Sequence, residues 1–249
     1  MRRLGYPVSF EKINGQILEY EDASDGRLRY LGGIEEDDAR KLFHKFKELF
    51  DEAGSKFSLV FGSLLGAVRS GTVIPSDSDL DVYVWEEEKL RDHLIDFYEK
   101  GLKVCIISPG RIYRFELEPI CCIDVYIYRE LRGIFSLPWR SSCIAICDHM
   151  QPRKLFTGYE EIEFLGEKVL CPKNPEKLLE FWYGSDWRIP QNKKGIYEVR
   201  SVYYLCYPFR FVKFVLKYLP KFIFNKGYRR SILLRKRKTG SIFKDRICI

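Results

Sequence analysis

Three aspartates alternate with other residues in the segment FGSLLGAVRSGTVIPSDSDLDVYV, which covers positions 61–84; they are Asp77, Asp79 and Asp81. Alternate side chains of a β-strand share a face, so a strand here would project Asp79 and Asp81 together, with their Cα atoms about 7 Å apart. Two unpartnered carboxylates would repel each other, and carboxylate oxygens are the ligands that Mg²⁺ or Mn²⁺ prefers. The spacing therefore predicts a divalent metal site on Asp79 and Asp81.

A third carboxylate lies in the segment CCIDVYIY, residues 121–128, where Asp124 alternates with the apolar Ile123 and Val125. This alternation again directs a carboxylate away from the apolar face of a strand. We predict that Asp124 completes the site, which would hold one or two metal ions. The alternative is that all these aspartates are solvated residues at the ends of strands.

The segment FGSLLG supplies a second kind of group beside the acids. A strand that ends at Gly62–Ser63 and opens a short helix presents backbone N–H groups and a hydroxyl, and Gly62 has no side chain to block an anionic ligand. We therefore predict that Gly62 and Ser63 bind substrate. Neither a Walker-type loop nor a G-x-G-x-x-G motif occurs, which excludes P-loop and Rossmann nucleotide sites.

The elements that must position these residues follow a mixed α/β pattern built on one sheet. Residues 34–54 form an amphipathic helix whose apolar face comprises Leu42, Phe43, Phe46, Leu49 and Phe50. Residues 86–101 form a second such helix, which ends in glycine. Strand patterns cover residues 56–62, 79–85, 102–108, 111–118 and 121–129, with one or two helical turns over residues 63–71.

Charge divides the chain near position 190. The whole chain has 42 lysines and arginines against 35 acids, yet residues 191–249 hold 16 basic residues against two acids. We predict a catalytic domain over residues 1–190 and a basic, helical C-terminal region. In that region Arg210, Lys213 and Lys217 form a narrow stripe opposite a wide apolar face, which is typical of a helix on an anionic membrane surface. A core helix with a solvated basic end is the alternative, and nucleic-acid binding is a less favoured third interpretation.

The remaining composition indicates a cytoplasmic protein. The N-terminus has no apolar run typical of a secretory signal, and no apolar stretch is long enough to span a membrane. We therefore expect the eight cysteines to be reduced and mostly buried. Zinc bound by Cys143, Cys147 and His149 is an alternative for which the sequence shows no fourth ligand.

The motifs together resemble one family. GSLLGAVRSGTVIPSDSDLDV is similar to the LicD pattern G-T-L-L-G-A-[VI]-R-x-x-x-[FI]-I-P-W-D-D-D-[IL]-D, and CIDVYIY resembles the second acidic strand of that family. YEEIEFLGEKVLCPKNPEKLLEFWYGSDWRIP resembles its hairpin, its following helix and its closing motif. Two positions depart from the pattern, because Ser76 replaces the usual tryptophan and Ser78 replaces the central aspartate.

The resemblance implies a nucleotidyltransferase-like fold and a metal-dependent phosphotransferase. Such an enzyme would move phosphocholine or ribitol phosphate from a CDP-alcohol donor to a glycan or lipid-linked glycan, as in surface polysaccharide synthesis at the inner face of the plasma membrane. It also implies that Asp79, Asp81 and Asp124 bind Mg²⁺ or Mn²⁺ and that Arg69 contacts phosphate. Two other functions stay open: a nucleotidyltransferase that uses a nucleoside triphosphate, and a non-catalytic binding module. The aromatic residues of YGSDWRIP either pack against the domain or bind the acceptor.

Overall fold

The strands of this chain assemble into one mixed sheet and a separate hairpin in a computed structural model. The structure describes residues 7–190 except for positions 23–32, 76, 86, 109, 118–120, 132–142 and 147–148. Its strands are β1 (Val8–Ile13), β2 (Gln16–Asp22), β3 (Ser58–Leu59), β4 (Leu80–Val84), β5 (Lys103–Ser108), β6 (Ile112–Leu117), β7 (Cys121–Leu131), β8 (Cys143–Ile146), β9 (His149–Pro152), β10 (Tyr159–Phe164) and β11 (Glu167–Pro172). Its helices are α1 (Glu36–Glu52), α2 (Phe61–Ser70), α3 (Glu87–Asp92), α4 (Leu94–Glu99) and α5 (Pro175–Tyr183), with a short 3-10 turn at Arg153–Leu155.

The order of strands in the main sheet is β1-β2-β5-β6-β7-β4-β3, with β8 and β9 extending from β7. The β2–β5 and β4–β7 pairs are parallel, and the other pairs are antiparallel. The sheet therefore contains strands of both directions, and helices lie between several of its strands along the chain. This arrangement confirms the predicted mixed α/β class.

Helix α1 covers the apolar face of the sheet. Acidic residues in its first turn suit the positive end of the helix dipole, and its apolar residues recur at helical spacing. All five residues predicted for its apolar face are buried, and Phe46 packs against Phe115 of β6 with ring centroids 5.6 Å apart. Packing of α1 thus covers one side of the sheet, and Asp81, Arg114 and Asp124 lie on the other side.

The central strands β4 and β7 carry the alternation predicted from the sequence. Leu80, Val82 and Val84 are buried on β4, and the apolar residues of β7 that pair with them, Ile123, Val125 and Ile127, are buried as well. The parallel register places Asp81 beside Asp124, and the antiparallel register of β6 places Arg114 on the other side of Asp124. One row across the sheet therefore contains two acids and a cation.

Two predicted elements differ from the observed ones. The strand predicted for residues 56–62 is only two residues long, because the chain turns at Phe61, whose φ is 45°, directly into α2. The helix predicted for residues 86–101 is divided at His93 into α3 and α4, and Leu94, Ile95 and Phe97 of α4 are buried. Tertiary burial outweighs local helix propensity at this break.

The β1–β2 hairpin was not predicted from the sequence, whereas the β10–β11 hairpin was implied by the family resemblance. An Asn14–Gly15 turn, with both φ values positive, joins β1 to β2 as expected for a two-residue hairpin loop. The hairpin implied by the family resemblance is confirmed as β10–β11, which precedes α5 with its proline at the first position.

The remaining predictions concern cysteines and the C-terminal region. Cys105, Cys121, Cys122 and Cys171 are buried free thiols, as expected for these positions. The zinc alternative involves side chains outside those that the structure describes, and so does the whole predicted membrane-binding region at residues 191–249. Within the described part of the chain, the helices lack the length and apolar character needed to cross a bilayer.

Candidate active site

The three predicted metal-binding aspartates lie together on the polar side of β4 and β7. Asp81 and Asp124 are only 8% and 3% exposed, and Asp79 lies just before β4. The interpretation that these acids are solvated residues at strand ends is therefore wrong for Asp81 and Asp124. Burial of several carboxylates in one place needs compensation by donors or cations, because a desolvated charge is costly.

Gly62 and Ser63 hold Asp81 in this cluster. The Gly62 N–H, at the start of α2, donates to Asp81 Oδ2 at 3.2 Å, and the Asp81 backbone N–H donates to Ser63 Oγ at 2.7 Å. The N-terminal end of a helix favours a negative charge at this position. The structure thus shows Gly62 and Ser63 contacting Asp81, whereas their predicted contact with substrate stays a prediction.

Asp77 is a further acid of the cluster, which the sequence analysis noted but gave no role. A Cβ atom added at Gly62 would lie 2.2 Å from Asp77 Oδ2 and 3.3 Å from Asp81 Oδ2. Only glycine therefore allows these two carboxylates to approach the first turn of α2. The regular spacing of the three aspartates was the signal that could have identified Asp77.

Phe61 begins α2 with a φ of 45°, a conformation that residues other than glycine rarely adopt. Its ring is partly buried and contacts Tyr126 and Trp182, with centroid distances of 5.1 and 5.0 Å. Such backbone strain persists only where the surroundings hold it. Here the aromatic contacts fix the turn that aims the Gly62 N–H at Asp81.

Burial and mutual repulsion raise the pKa values of the acids. Burial raises the pKa of Asp79 to about 7, with a further contribution from the Asp124 charge that Arg114 opposes. Burial, followed by the charges of the neighbouring aspartates, raises the pKa of Asp81 well above its usual range. Burial also raises the pKa of Asp77. A bound cation would relieve the repulsion among these groups.

Arg114, which the sequence analysis did not single out, is the cation of this cluster. Its Nε donates to Asp124 Oδ1 at 2.6 Å, and its Nη2 donates to Asp124 Oδ2 at 2.9 Å and to Asp79 Oδ2 at 3.2 Å. Burial alone would lower the pKa of Arg114, but the charge and hydrogen bonds of Asp124 raise it above its usual value. The alternation of RIYRFELE placed Arg114 opposite the apolar face, which was the only available signal.

The donor chemistry suits a divalent cation, but the three carboxylates are not equivalent. Within the described part of the chain, no group of three or more histidine, cysteine, aspartate or glutamate side chains is arranged to hold a metal ion. Asp124 directs both of its oxygens to Arg114, whereas Asp79 accepts from Arg114 through one oxygen and Asp81 accepts from the Gly62 N–H through one oxygen. Asp79 and Asp81 are therefore the residues that would hold a metal, with Asp124 beside them.

Arg69 lies apart from the aspartates, about 10 Å further along α2 than Gly62. Its Nη2 donates to the backbone carbonyls of Trp187 and Ile189, the latter at 3.4 Å. Trp187 is buried, and Arg188 lies over its ring at 4.4 Å. The aromatic residues of YGSDWRIP thus pack against the domain, and the phosphate contact of Arg69 stays a prediction.

The sheet, the short helix after β3 and the acids on neighbouring strands define a nucleotidyltransferase-type domain. Residues 54–174 match the family model described as LicD/FKTN/FKRP, nucleotidyltransferase domain. This segment is thus similar to the LicD family, as its motifs predicted.

Similar proteins include two uncharacterised proteins of Rickettsia. The protein of Rickettsia typhi is 30% identical over 124 residues, which are 47% of this chain and 37% of that protein. The protein of Rickettsia prowazekii is 27% identical over 159 residues, or 54% of this chain and 57% of that protein. The chain thus spans between about a third and just over half of the length of these relatives.

Solved structures with a similar fold include two antibiotic-resistance proteins. The lincosamide antibiotic adenylyltransferase LnuA is 13% identical, with a TM-score of 0.40 over 59% of this chain and 85% of that chain. The antibiotic-resistance factor ANT(2'')-Ia in solution is 17% identical, with a TM-score of 0.43 over 70% of this chain and 86% of that chain.

Proposed function

We propose that this protein is a metal-dependent phosphotransferase that moves a phospho-alcohol group from a CDP-alcohol to a glycan hydroxyl. The observation that carries the proposal is the cluster of the buried Asp81 and Asp124 with the half-buried Asp79, beside the glycine at the start of α2, in a segment that matches the LicD family model. The transferred group would be phosphocholine or ribitol phosphate, and the acceptor a surface polysaccharide or a lipid-linked glycan.

The reaction forms one bond to phosphorus and breaks another. The acceptor hydroxyl oxygen attacks the phosphorus that carries the alcohol, and the bond from that phosphorus to the bridging oxygen of the diphosphate breaks. CMP leaves with the bridging oxygen and its electron pair, and the hydroxyl proton passes to a carboxylate. Because little covalent chemistry is required of the protein, alignment and charge neutralisation supply most of the catalysis.

Residues of the cluster divide these tasks in our proposal. Asp79 and Asp81 hold Mg²⁺ or Mn²⁺, which when bound neutralises charge on the diphosphate. Asp124 completes the site or accepts the hydroxyl proton from the acceptor. The Gly62 N–H keeps the carboxylate of Asp81 in place, Ser63 holds the Asp81 backbone, and both residues bind the donor at the start of α2.

A nucleotidyltransferase that attacks the α-phosphate of a nucleoside triphosphate is the second candidate. The Gly-Ser and D-x-D elements suit that reaction equally well, and the products distinguish the two. The phosphotransferase releases CMP, whereas the nucleotidyltransferase releases pyrophosphate.

Incubation with CDP-alcohols tests the proposed activity. The full chain is incubated with Mg²⁺ and with CDP-choline, CDP-ribitol, CDP-glycerol or a nucleoside triphosphate, and nucleotide products are separated by chromatography. We expect CMP from at least one CDP-alcohol, and EDTA should stop its release reversibly. Pyrophosphate from a triphosphate, with no CMP from any CDP-alcohol, would contradict the proposal and favour the second candidate.

We also propose that residues 191–249 hold the enzyme at an anionic membrane surface, where lipid-linked acceptors would be reached. Each lysine or arginine near such a surface contributes about 1 kcal/mol, and salt screens the attraction. The full chain should sediment with vesicles that contain anionic lipid at low salt and less at high salt. A chain that ends at Lys194 should remain in the supernatant and still release CMP. Equal sedimentation of the two chains would overturn the assignment of this region.

A further inference from the structure

The position of Arg114 bears on how many metal ions the site uses. The Arg114 side chain is 6% exposed and lies on β6, directly opposite Asp124 of β7. It donates to both oxygens of Asp124, and the same Nη2 that reaches Asp124 also reaches Asp79. One nitrogen atom of Arg114 therefore lies between the carboxylates of Asp79 and Asp124.

We propose that the site holds a single divalent cation, on Asp79 and Asp81, and that Arg114 is a fixed positive charge where a second cation would otherwise bind. This inference rests on the proposed function, since it concerns the same carboxylates. In sites with two metal ions, the ions lie about 3.5–4 Å apart and both contact the reacting phosphate. A second ion here would bind Asp124 and share a carboxylate of the D-x-D pair, which is the place that Arg114 Nη2 occupies between Asp124 and Asp79.

The charges of the described residues support a single ion. The acids that interact in this cluster are Asp77, Asp79, Asp81 and Asp124, and Arg114 is a cation that pairs with Asp79 and Asp124. When all four acids are ionised, they carry four negative charges. Arg114 and one divalent ion supply three positive charges, so the cluster keeps one net negative charge. A second divalent ion would also have to remove a buried guanidinium from two hydrogen bonds to Asp124, which are strong because both partners are charged.

Arginine is suited to this position because its planar guanidinium binds both oxygens of a carboxylate and still reaches a third acceptor. In this role Arg114 is a positioning residue, since it acts through Asp124 and Asp79 rather than on the substrate. A purely structural role and the proposed role predict opposite effects on metal binding. Loss of structure weakens metal binding, whereas loss of a competing positive charge strengthens it.

Calorimetric titration with Mn²⁺, in the absence of any donor, tests the proposal on the full chain. We expect the wild-type protein to bind one Mn²⁺. Arg114→Met should bind the first Mn²⁺ at least about tenfold more tightly, or bind a second one, because the oxygens of Asp124 become available. Two Mn²⁺ ions in the wild-type protein, or weaker binding by folded Arg114→Met, would overturn the inference.

Three further variants complete the test. Adding Asp124→Asn to Arg114→Met should return the protein to one Mn²⁺ with nearly wild-type affinity, because the oxygens that Arg114 had occupied are no longer anionic. Arg91→Met, which removes a half-exposed arginine paired with Glu11, should leave Mn²⁺ binding unchanged. If Arg114→Met does not fold, Arg114→Lys is the substitute variant. Because a lysine ammonium contacts fewer carboxylate oxygens than a guanidinium, Arg114→Lys should still bind Mn²⁺ more tightly than the wild type.

The outcome is separable from that of the proposed function. One Mn²⁺ that binds more tightly in Arg114→Met, with no CMP release from any CDP-alcohol, would support the inference and contradict the function. CMP release together with two Mn²⁺ ions in the wild-type protein would support the proposed function and contradict the inference of a single ion. Absence of any Mn²⁺ binding by the folded wild-type protein would contradict both.

Discussion

The variants Asp79→Asn and Asp81→Asn are each expected to lower the rate of CMP release by about a thousandfold, because each removes one anionic ligand of the metal that neutralises charge on the diphosphate. The fold should persist. Burial makes a negative charge at position 81 unfavourable, so metal-free Asp81→Asn should melt at the same temperature as the metal-free wild type or above it. The rate of CMP release and the melting temperature, measured on the same samples, check both statements.

Asp51→Asn is the matched control for these variants. Asp51 lies on α1, is 62% exposed and pairs with Lys47 on the surface, so its neutralisation should change neither CMP release nor melting temperature appreciably. Added Mn²⁺ should raise the melting temperature of the wild type and of Asp51→Asn, but not that of Asp81→Asn. A wild-type rate of CMP release by Asp79→Asn or Asp81→Asn would show that the reaction does not depend on these carboxylates.

Gly62→Val is expected to weaken the binding of Mn²⁺ and of the CDP donor by at least about tenfold, since an added Cβ would overlap Asp77 Oδ2 and press on Asp81 Oδ2. The obstructing atom is the end of an aspartate side chain, which can move at a modest cost in stability. Asp81, which holds the metal in our proposal, would be displaced as well. Calorimetry with Mn²⁺ and with the donor, beside thermal melting, measures the two effects separately.

Gly66→Ala provides the comparison on the same helix. A Cβ at Gly66 would lie 2.3 Å from the backbone oxygen of Thr72, which cannot rotate away as a side chain can. This variant should lose about 1–3 kcal/mol of stability, with Mn²⁺ affinity unchanged in the folded protein. If Gly62→Val behaved like Gly66→Ala, with lower stability and unaltered affinity, the start of α2 would have only a packing role.

Much of the site could be predicted because its signals are local. Alternation along one strand determines which side chains share a face, and this was sufficient to place Asp79 and Asp81 together and Asp124 on the polar side of β7. The helical spacing of apolar residues likewise predicted the face of α1 that is buried. These patterns depend on backbone periodicity, which the sequence expresses directly.

Other features depend on which strands are neighbours and could not be predicted in this way. Arg114 and Asp124 are ten positions apart on strands whose register only the folded sheet defines, and a lone arginine in a strand pattern has no distinctive signal. The same holds for the hydrogen bond that the Ser63 hydroxyl accepts from the backbone N–H of Asp81, whereas the contact of Ser63 with substrate stays a prediction. Strand register is set by packing of the whole sheet, so no short segment encodes it.

By itself the sequence determined the α/β class, the resemblance to the LicD family and the acids of the candidate site, because periodicity and short motifs need only neighbouring residues. The tertiary structure decided how those acids are partnered. It buried Asp81 and Asp124, directed the Gly62 N–H to Asp81, and placed Arg114 between Asp124 and Asp79. The hydrogen-bond and ion-pair partners of each acid are determined by contacts between strands that are distant in the chain. The free energy of a buried charge depends on those contacts more than on the residue that carries it.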